Sequence, residues 1–240
     1  MKLTKEQAVA QYPEVKFCGK GAYYIDSGAV IGSGTYIESG AVIESGAPIG
    51  ADAVIGSGVF IRSGAFIMPG AVIESGAFIR PDAVIRPGAV IESDAIIGAG
   101  AIIGAGTFIR SDVVIEPNAV IKPGAFIESG TFIGSGAVIG YGAVIHPGVS
   151  IESGAVIGSG ANIGSGRKGV KNALVINGIG ETKQITAHDS DSGLVVVIGC
   201  LNDYKGASMD EAEYAISEKY PPSHPYFTAL KLAQAWYESL

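Results

Sequence analysis

The chain has 240 residues, 48% of them hydrophobic and 16% charged, which is enough apolar material for a sizeable core in a soluble protein. Its net charge of −7 disfavours nucleic acid as a partner, because binding to phosphate groups requires a basic surface. No apolar run approaches the ~18 residues of a membrane span, and the start of the chain lacks the apolar stretch of a signal peptide. We therefore expect neither a nucleic acid nor a membrane as a partner.

Residues 1–22 are predicted to form an N-terminal helical cap. Thr4 followed three residues later by Gln7 fits a capping box, and Pro13 ends the short helix that follows. The open end of a stack of strands is an edge that can recruit other chains, so we expect this helix to cover such an edge.

Every sixth residue from Ile25 to Ile163 is isoleucine, over 24 consecutive hexads. From Ala29 to Ala161, the position two residues earlier is Ala, Thr or Val. The position three residues later is Gly, Asp or Asn, the residue types that tolerate positive φ. Each hexad therefore predicts a short strand followed by a tight corner. Because side chains alternate along a strand, the isoleucine and the small residue fill the inside, and the residue between them points outward.

A six-residue period excludes the other regular structures. It does not follow the 3.6-residue period of an amphipathic helix, where a glycine every six residues would cost about 1 kcal/mol each. Collagen requires glycine at every third residue. The short strands without hairpin signals predict an all-β solenoid, a parallel β-helix.

Three tracts, at 133–138, 139–144 and 157–162, resemble the hexapeptide repeat of left-handed β-helix proteins, the transferase hexapeptide superfamily. The resemblance covers residues 23–166. It implies left-handed winding with three hexads in each triangular coil, and so about eight coils. With ~4.8 Å between stacked strands, the prism would be roughly 35–40 Å tall.

With three hexads in a coil, the outward residues align into three apolar ranks, one on each face. The ranks are Tyr24, Val42, Phe60, Phe78, Ile96, Val114 and Phe132; Val30, Pro48, Phe66, Val84, Ile102, Val120, Val138 and Val156; and Tyr36, Val54, Val72, Val90, Phe108, Phe126 and Val144. Valine is a good strand former wherever it lies, but ranks of this length indicate burial against a partner. The resemblance implies a homotrimer of parallel prisms.

Residues 167–240 are predicted to form a small α+β tail. The segments 184–187 and 194–200 read as a hairpin, and Ser208 and Glu211 form a second capping box before a helix that runs to about Tyr220. A last helix begins near Pro225. Its apolar stripe must pack on another element or another subunit, and consists of Tyr226, Leu230, Ala233, Tyr237 and Leu240.

His146 is the histidine within the repeat and the candidate catalytic residue. The resemblance implies a general base that deprotonates a hydroxyl or amine acceptor, with backbone N–H groups of the corners as oxyanion donors. Against this, the prism has no protruding loop to build an acceptor pocket. The same column elsewhere holds glutamate and arginine. His146 therefore also fits an ordinary member of a column of exposed polar side chains, without a catalytic role.

Arg167, Lys168 and Lys171 follow the last hexad. The resemblance implies that basic residues near the last coils bind the phosphates of coenzyme A, whereas the sequence alone also fits a solvated basic connector. We predict no metal site, because His188 and His224 lie far from His146 without close-paired ligand spacing. Cys18 and Cys200 read as two reduced thiols, which favours a cytoplasmic setting.

The sequence alone favours a structural or binding protein on a trimeric left-handed β-helix, without a cofactor. An unknown ligand or protein would bind its tail, where the residues of interest are Arg167, Lys168, His188, Tyr204 and Trp236. The alternative is an acyl-CoA-dependent acyltransferase that acts at subunit interfaces, with acyl-CoA as co-substrate and His146 as the base.

Overall fold

The computed structural model describes residues 2–26, 28–177, 184–190, 193–198, 208–217 and 225–239. The repeat forms the predicted parallel β-helix, in which short strands stack in register with the strands of the coils before and after them. Residues paired between neighbouring coils are 18 positions apart, as Ile85 and Ile103 are, so three hexads complete one coil.

The strands of the repeat and its first rung are short. In chain order they are β1 Lys2–Leu3, β2 Lys16–Cys18, β3 Tyr23–Ile25, β4 Val30–Ile31, β5 Tyr36–Glu38, β6 Val42–Ile43, β7 Pro48–Ile49, β8 Val54–Ile55, β9 Phe60–Ile61, β10 Phe66–Ile67, β11 Val72–Ile73, β12 Phe78–Ile79, β13 Val84–Ile85 and β14 Val90–Ile91. They continue with β15 Ile96–Ile97, β16 Ile102–Ile103, β17 Phe108–Ile109, β18 Val114–Ile115, β19 Val120–Ile121, β20 Phe126–Ile127, β21 Phe132–Ile133, β22 Val138–Ile139, β23 Val144–Ile145, β24 Ser150–Ile157 and β25 Asn162–Ile163.

The prism has three faces, which we name by their first isoleucine strand. Face 1 begins at β3, face 2 at β4, and face 3 is the nine-stranded sheet that runs from β2 through β5 to β25. Corner A lies between faces 1 and 2, corner B between faces 2 and 3, and corner C between faces 3 and 1. Their first residues in the repeat are 26–28, 32–34 and 38–40, respectively, and each corner recurs every 18 residues.

The expected eight coils are nine. On face 3, β2 adds a rung before the first isoleucine, with Phe17 opposite Ile37 and buried in its place. On faces 1 and 2, the strand β26 (Val170–Asn177) adds the last rung, with Val170 opposite Ile151 and Ala173 opposite Ile157. The sequence does not predict the extra coil, because these two strands do not keep the six-residue period.

The inside of the prism is packed as the sequence predicts. The repeat isoleucines are buried, apart from the half-buried Ile31 at the first coil, and the small residues beside them are buried as well. Thr35, Thr107 and Thr131 take that small position, and their hydroxyls donate to corner carbonyls such as that of Gly32, at 2.7 Å. The buried hydroxyls are therefore satisfied without interrupting the core.

The corners adopt the left-handed conformation that the sequence predicts. Asp52, Asp82, Asp94, Asp112 and Asn118 have φ between 57° and 61°, and the glycines of the same column from Gly34 to Gly166 have φ between 60° and 88°. Aspartate and asparagine are the residues besides glycine that visit this region routinely. The outward ranks also align as predicted, and their aromatic rings at Phe60, Phe108 and Phe132 remain about 40% exposed.

The N-terminal end is covered as expected. Helix α1 (Lys5–Gln11) begins at Thr4, whose hydroxyl accepts the Gln7 backbone N–H while the Gln7 side chain accepts the Thr4 N–H. The strand β1, which was not predicted, pairs antiparallel with β3 and occupies its free edge.

The tail extends the solenoid sheet. β26 pairs antiparallel with β27 (Gln184–Ser190), which pairs with β28 (Gly193–Ile198) to form the predicted hairpin. Helices α2 (Met209–Ser217) and α3 (Pro225–Glu238) pack against each other and against β28 and β27, respectively. In the predicted apolar stripe of α3, Leu230 and Ala233 are buried in this packing. The three-part division at residues 22 and 166 stays a prediction.

Candidate functional site

Polar side chains follow one another up corner C, where face 3 meets face 1. Each stands directly after the isoleucine of a face 3 strand, and from Glu74 to His146 each stands one coil above the last, whereas Gly56 separates Glu38 from Glu74. The column contains Glu38, Glu74, Glu92, Arg110, Glu128 and His146. The site is therefore held by the most regular part of the fold, with every side chain fixed by a stacked strand.

Glutamates at the corners normally bind the serine one coil later and one residue on. Ser111 donates to Glu92 through its hydroxyl and its backbone N–H, and Ser93 donates to Glu74. The same pairing occurs at corner A, where Ser63 binds Glu44 and Ser135 binds Glu116. Two of these glutamates also bind an arginine in the next coil, Glu44 with Arg62 and Glu92 with Arg110. The Arg62 guanidinium lowers the pKa of Glu44.

Glu128 departs from this pattern. The position of the binding serine is Pro147, which has neither a hydroxyl nor an N–H. Within the described part of the chain, the recorded partner of the Glu128 carboxylate is His146, whose Nδ1 lies 3.3 Å from Oε1 of Glu128. The imidazole is one-third exposed. A carboxylate at Nδ1 fixes the ring orientation and leaves Nε2 available to accept a proton.

An open groove of about 300 Å³ adjoins this pair and is lined by Glu92, Arg110, Phe126, Glu128, Ser129 and Pro147. His146 is not a lining residue; it contacts Glu128, which is. The Arg110 guanidinium lies over the Phe126 ring, 5.1 Å from its centroid, and so holds this side chain at the groove. The groove thus combines an apolar ring, a cation and a carboxylate–histidine pair.

The backbone of this corner does not supply the expected oxyanion donors. The N–H of His146 donates to the Ile163 carbonyl at 3.0 Å, and that of Gly148 donates to the Ser129 carbonyl at 3.1 Å. Pro147 between them has no N–H. The expectation is corrected for the rung of His146, where inter-coil hydrogen bonding occupies both backbone donors, so an oxyanion beside His146 requires a donor from another residue.

The three basic residues after the repeat do not converge. Lys168 Nζ donates to the Gly148 carbonyl at 3.2 Å, two residues from His146 on the same corner. The Arg167 carbonyl accepts from the backbone N–H of Ser150, 2.7 Å away. Lys171 is exposed within β26, between the residues paired with faces 1 and 2, and therefore stands at corner A. The reading as a connector is wrong for Lys171, which belongs to a strand.

His188 lies on β27 and is fully buried, with no hydrogen-bond partner for either ring nitrogen among the described residues. Burial lowers its pKa to about 4, with the charge of Arg167 acting in the same direction and the backbone of Asp189 opposing it. His188 therefore does not present its ring to a ligand. Trp236 is half-buried on α3, and Tyr204, Cys200 and His224 lie outside the described residues.

Neither a metal cluster nor a membrane-spanning helix is found in the described part of the chain. No three His, Cys, Asp or Glu side chains there are grouped so that they could hold a metal ion. The helices described are too short or too polar to cross a membrane.

Two sequence profiles match the repeat. The profile of the bacterial transferase hexapeptide matches residues 28–63, 52–87, 76–111 and 106–141, and that of the hexapeptide repeat of succinyl-transferase matches 125–165. Together they cover residues 28–165, more than half of the chain. The chain belongs to the transferase hexapeptide superfamily. The fold is the left-handed β-helix that the resemblance implies. Comparison of this transferase hexapeptide protein with curated proteins finds no match.

Solved structures of the superfamily resemble the chain only distantly. A UDP-N-acetylglucosamine acyltransferase from Bacteroides fragilis is 17% identical, with a TM-score of 0.46, over 87% of this chain and 94% of that one. The corresponding enzyme from Campylobacter jejuni is 20% identical, with a TM-score of 0.40, over 92% and 83%. That from Francisella novicida is 18% identical, with a TM-score of 0.41, over 56% and 60%. At these values no activity or acceptor is transferred to the hexapeptide protein described here.

Proposed function

We propose that the protein is an acyl-CoA-dependent acyltransferase that works as a homotrimer in the cytoplasm. The observation that carries the proposal is the Glu128–His146 pair, in which the carboxylate lacks the serine partner that four other corner glutamates have. Membership in a superfamily of transferases, with a succinyl-transferase repeat profile over the coils that carry both residues, supports this direction.

The reaction follows from the geometry of the pair. Nε2 of His146 removes the proton from an acceptor hydroxyl or amine, and the acceptor atom attacks the thioester carbonyl. The tetrahedral intermediate then expels the thiolate of coenzyme A, which accepts from the imidazolium the proton that came from the acceptor. Glu128 stabilises the imidazolium while it exists. A change of His146 from base to acid within one cycle conserves protons, so no further co-reactant is required.

Lys168 is the best placed of the basic residues to contact the coenzyme A phosphates. It is exposed and tied to corner C through the Gly148 carbonyl. Arg167 precedes it in the chain and completes the donor site in this proposal. Lys171, at corner A, would contact the coenzyme only if the coenzyme extended across face 1.

A structural or binding role is the second candidate, and the form of the prism favours it. Between residues 28 and 166 the described chain makes no loop outside the hexads, so a monomer offers an acceptor only an open groove. In this candidate His146 is one rung of the polar column.

Calorimetric titration distinguishes the two candidates. Acetyl-CoA, succinyl-CoA and longer acyl-CoAs would be titrated into wild type and into Lys168→Ala, with Lys5→Ala, an exposed lysine on α1, as the matched control. Binding that weakens in Lys168→Ala alone supports the acyltransferase. Absence of heat at millimolar donor, or equal binding in all three proteins, would contradict the proposed donor site.

A further inference from the structure

Two grooves of the prism occupy equivalent places on different corners. One is the groove beside Glu128 on corner C, and the other, of about 170 Å³, is the corner B groove. Each residue that lines the first groove has a counterpart exactly one hexad earlier in the second. These counterparts are Arg86, Gly104, Val120, Lys122, Pro123 and Tyr141. The repeat therefore builds the same recess twice, and the side chains in the two recesses can be compared position by position.

The charges in the two grooves are reversed. In the groove on corner C, the central side chain is the cation Arg110, and the residues one coil before and one coil after it are glutamates. In the corner B groove, the two outer positions hold the cations Arg86 and Lys122, and the central position is Gly104. The charge that would complement the corner B groove is therefore negative, and its place is the central one.

No group of the described chain supplies this negative charge. Neither an ion pair nor a hydrogen bond is recorded for the side chain of Arg86 or Lys122 within the described residues. Corner B has no carboxylate on the coils of these two cations, on the coil between them or on the coil at either side. Its acidic residues, Glu14 and Asp52, stand on earlier coils. A recess lined by charge of one sign, with apolar walls, raises the local concentration of counter-ions.

The space between the cations is a fixed feature of the fold. The two outer positions lie two coils apart, ~10 Å along the axis, so their long side chains can approach one ion from both sides. A Cβ on Gly104 would lie 2.3 Å from the backbone nitrogen of Pro123, so a side chain could fill the space only by displacing a coil. The apolar side chains of Ile102 and Val120 line the groove, together with Tyr141, which is 57% exposed.

The backbone of this corner offers a further donor. At corners A and C the equivalent N–H groups, those of Ser63 and Ser111, donate to a glutamate carboxylate at 3.0 and 3.3 Å. At corner B the equivalent N–H is that of Ala105, directly after the central glycine, and no acceptor is recorded for it among the described residues. Arg86 stands where the glutamate stands at the other corners. The fold thus binds an anionic oxygen at two equivalent corners and leaves this donor to solvent.

The donor set favours a phosphate group over a carboxylate. A guanidinium and an ammonium on opposite sides of one space carry two positive charges, which a doubly charged anion neutralises and a carboxylate does not. A phosphate monoester carries about −1.5 to −2 charges and three strong acceptor oxygens that point in different directions. Arginine matches such oxygens with two parallel N–H groups, and lysine contributes a compact charge.

We propose that the corner B groove binds a phosphate group between Arg86 and Lys122, either as inorganic phosphate or as the phosphate of a small monoester. The Ala105 N–H and the Tyr141 hydroxyl complete the donor set. The apolar walls of the groove contact the organic part of an ester. The site lies on a different corner from the Glu128–His146 pair, so it goes beyond the proposed function and does not depend on it.

The test is calorimetric titration of inorganic phosphate and of phenyl phosphate at low ionic strength, where exposed charges are least screened. The proteins are the wild type, Arg86→Gln, Lys122→Gln and the control Arg80→Gln, which removes an exposed cation from corner A. We expect each groove variant to bind phosphate about tenfold or more weakly, because each loses a charge-assisted contact. The control should bind like the wild type, and circular dichroism should be unchanged in all four proteins.

The probes distinguish the two sources of the phosphate group. Tighter binding of phenyl phosphate than of inorganic phosphate would assign the groove to an ester, and equal or weaker binding would assign it to free phosphate; both results keep the site. Absence of heat at millimolar phosphate, or equal losses in Arg80→Gln and the groove variants, would overturn it.

Coenzyme A also carries phosphate groups, so it is titrated into the same proteins and into Lys168→Ala. Phosphate binding that is retained in Lys168→Ala supports a site on corner B. Phosphate binding that is lost in Lys168→Ala and kept in the groove variants would place the phosphate on corner C and overturn the proposal. Coenzyme A binding that weakens in Arg86→Gln and Lys122→Gln would make the groove part of the donor site and overturn its independence.

Discussion

Nδ1 of His146 lies 3.3 Å from Oε1 of Glu128, a residue one coil earlier on the same corner. Four other glutamates of the prism corners are held by a serine that follows the stacked residue, and here Pro147 takes the place of that serine. The repeat is otherwise so uniform that this substitution marks the one corner glutamate whose recorded partner is an imidazole.

The first prediction concerns this pair. We expect Glu128→Gln to reduce kcat, because the imidazolium loses its counter-charge, and His146→Ala to reduce it by about 10² or more, the usual contribution of a general base. Glu74→Gln, on the same corner without a histidine above it, is the control and should retain wild-type turnover. Equal turnover in all four proteins, measured as acyl-CoA consumption, would exclude the pair from the mechanism.

Pro147→Ser should weaken the same pair by another route. The introduced serine stands where Ser111 stands relative to Glu92, and would donate its hydroxyl and N–H to the Glu128 carboxylate. We expect lower turnover with unchanged thermal stability, since one exposed contact replaces another. Higher turnover in this variant would show that the absence of a serine partner for the Glu128 carboxylate does not assist catalysis.

The buried His188 should make the tail sensitive to acid. Its pKa in the folded state, about 4, lies below its ordinary value of 6.5. Between these two pH values the unfolded state binds a proton and the folded state does not. Stability is therefore complete above about pH 7.5 and falls as the pH drops through 6.5 towards 4, by about 3 kcal/mol in total. His188→Leu should remove most of this loss.

The fluorescence of Trp236, the sole tryptophan, reports on α3, which packs against the strand that carries His188. Urea unfolding followed at pH 7.5 and pH 4.5 measures the difference. His146→Gln is the control, because it removes a histidine from the solenoid and should leave the pH dependence of the Trp236 transition unchanged. A wild-type transition that does not shift with pH would contradict the burial of an uncharged His188.

Asn118 tests the conformation of the corners. Its φ is 60°, a region that costs an ordinary L-residue roughly 1–2 kcal/mol. Asn118→Ala should lower the free energy of unfolding by about this amount, while Asn118→Gly should leave it nearly unchanged. Urea denaturation of the three proteins, none of which differs in charge, gives the comparison; an alanine variant as stable as the glycine variant would refute the predicted strain.

Gly134 tests the close approach of neighbouring coils. A Cβ at this position would lie 2.4 Å from the backbone nitrogen of Ser153 in the next coil. Gly134→Ala should therefore displace a corner and destabilise the fold by about 1–3 kcal/mol. Arg80→Ala, at an exposed position three coils earlier in the same column, already has a Cβ and should change stability by less than about 0.5 kcal/mol. Similar losses in both variants would remove the steric explanation.

Much of the fold follows from local sequence. The isoleucine column, the small residue beside it and the Gly, Asp or Asn at each corner suffice to predict strands, corners and three aligned ranks, because each hexad repeats the same local choice. The additional ninth coil does not follow, since Phe17 precedes Ile25 by eight residues and Val170 belongs to no hexad. Those strands form because each of them pairs with the open edge of the strand stack that it covers.

The candidate site was only half predictable. The sequence identifies His146 as the histidine of the repeat, but by itself it groups Glu128 with the other polar residues of the same column. The signal was available in the 18-residue spacing and in Pro147, and it acquires meaning only beside the serines that bind the other glutamates. The burial of His188 depends on packing between the tail sheet and α3, which no local pattern in β27 records.

The most direct measurement is the release of coenzyme A thiol by the assembled protein and by His146→Ala, from acetyl-CoA and succinyl-CoA with a panel of amine and hydroxyl acceptors. A protein-only blank corrects for Cys18 and Cys200. The account predicts acceptor-dependent release by the wild type that falls by about 10² or more in the variant. Release that is absent from the wild type with every donor and acceptor, or unchanged in His146→Ala, would contradict it.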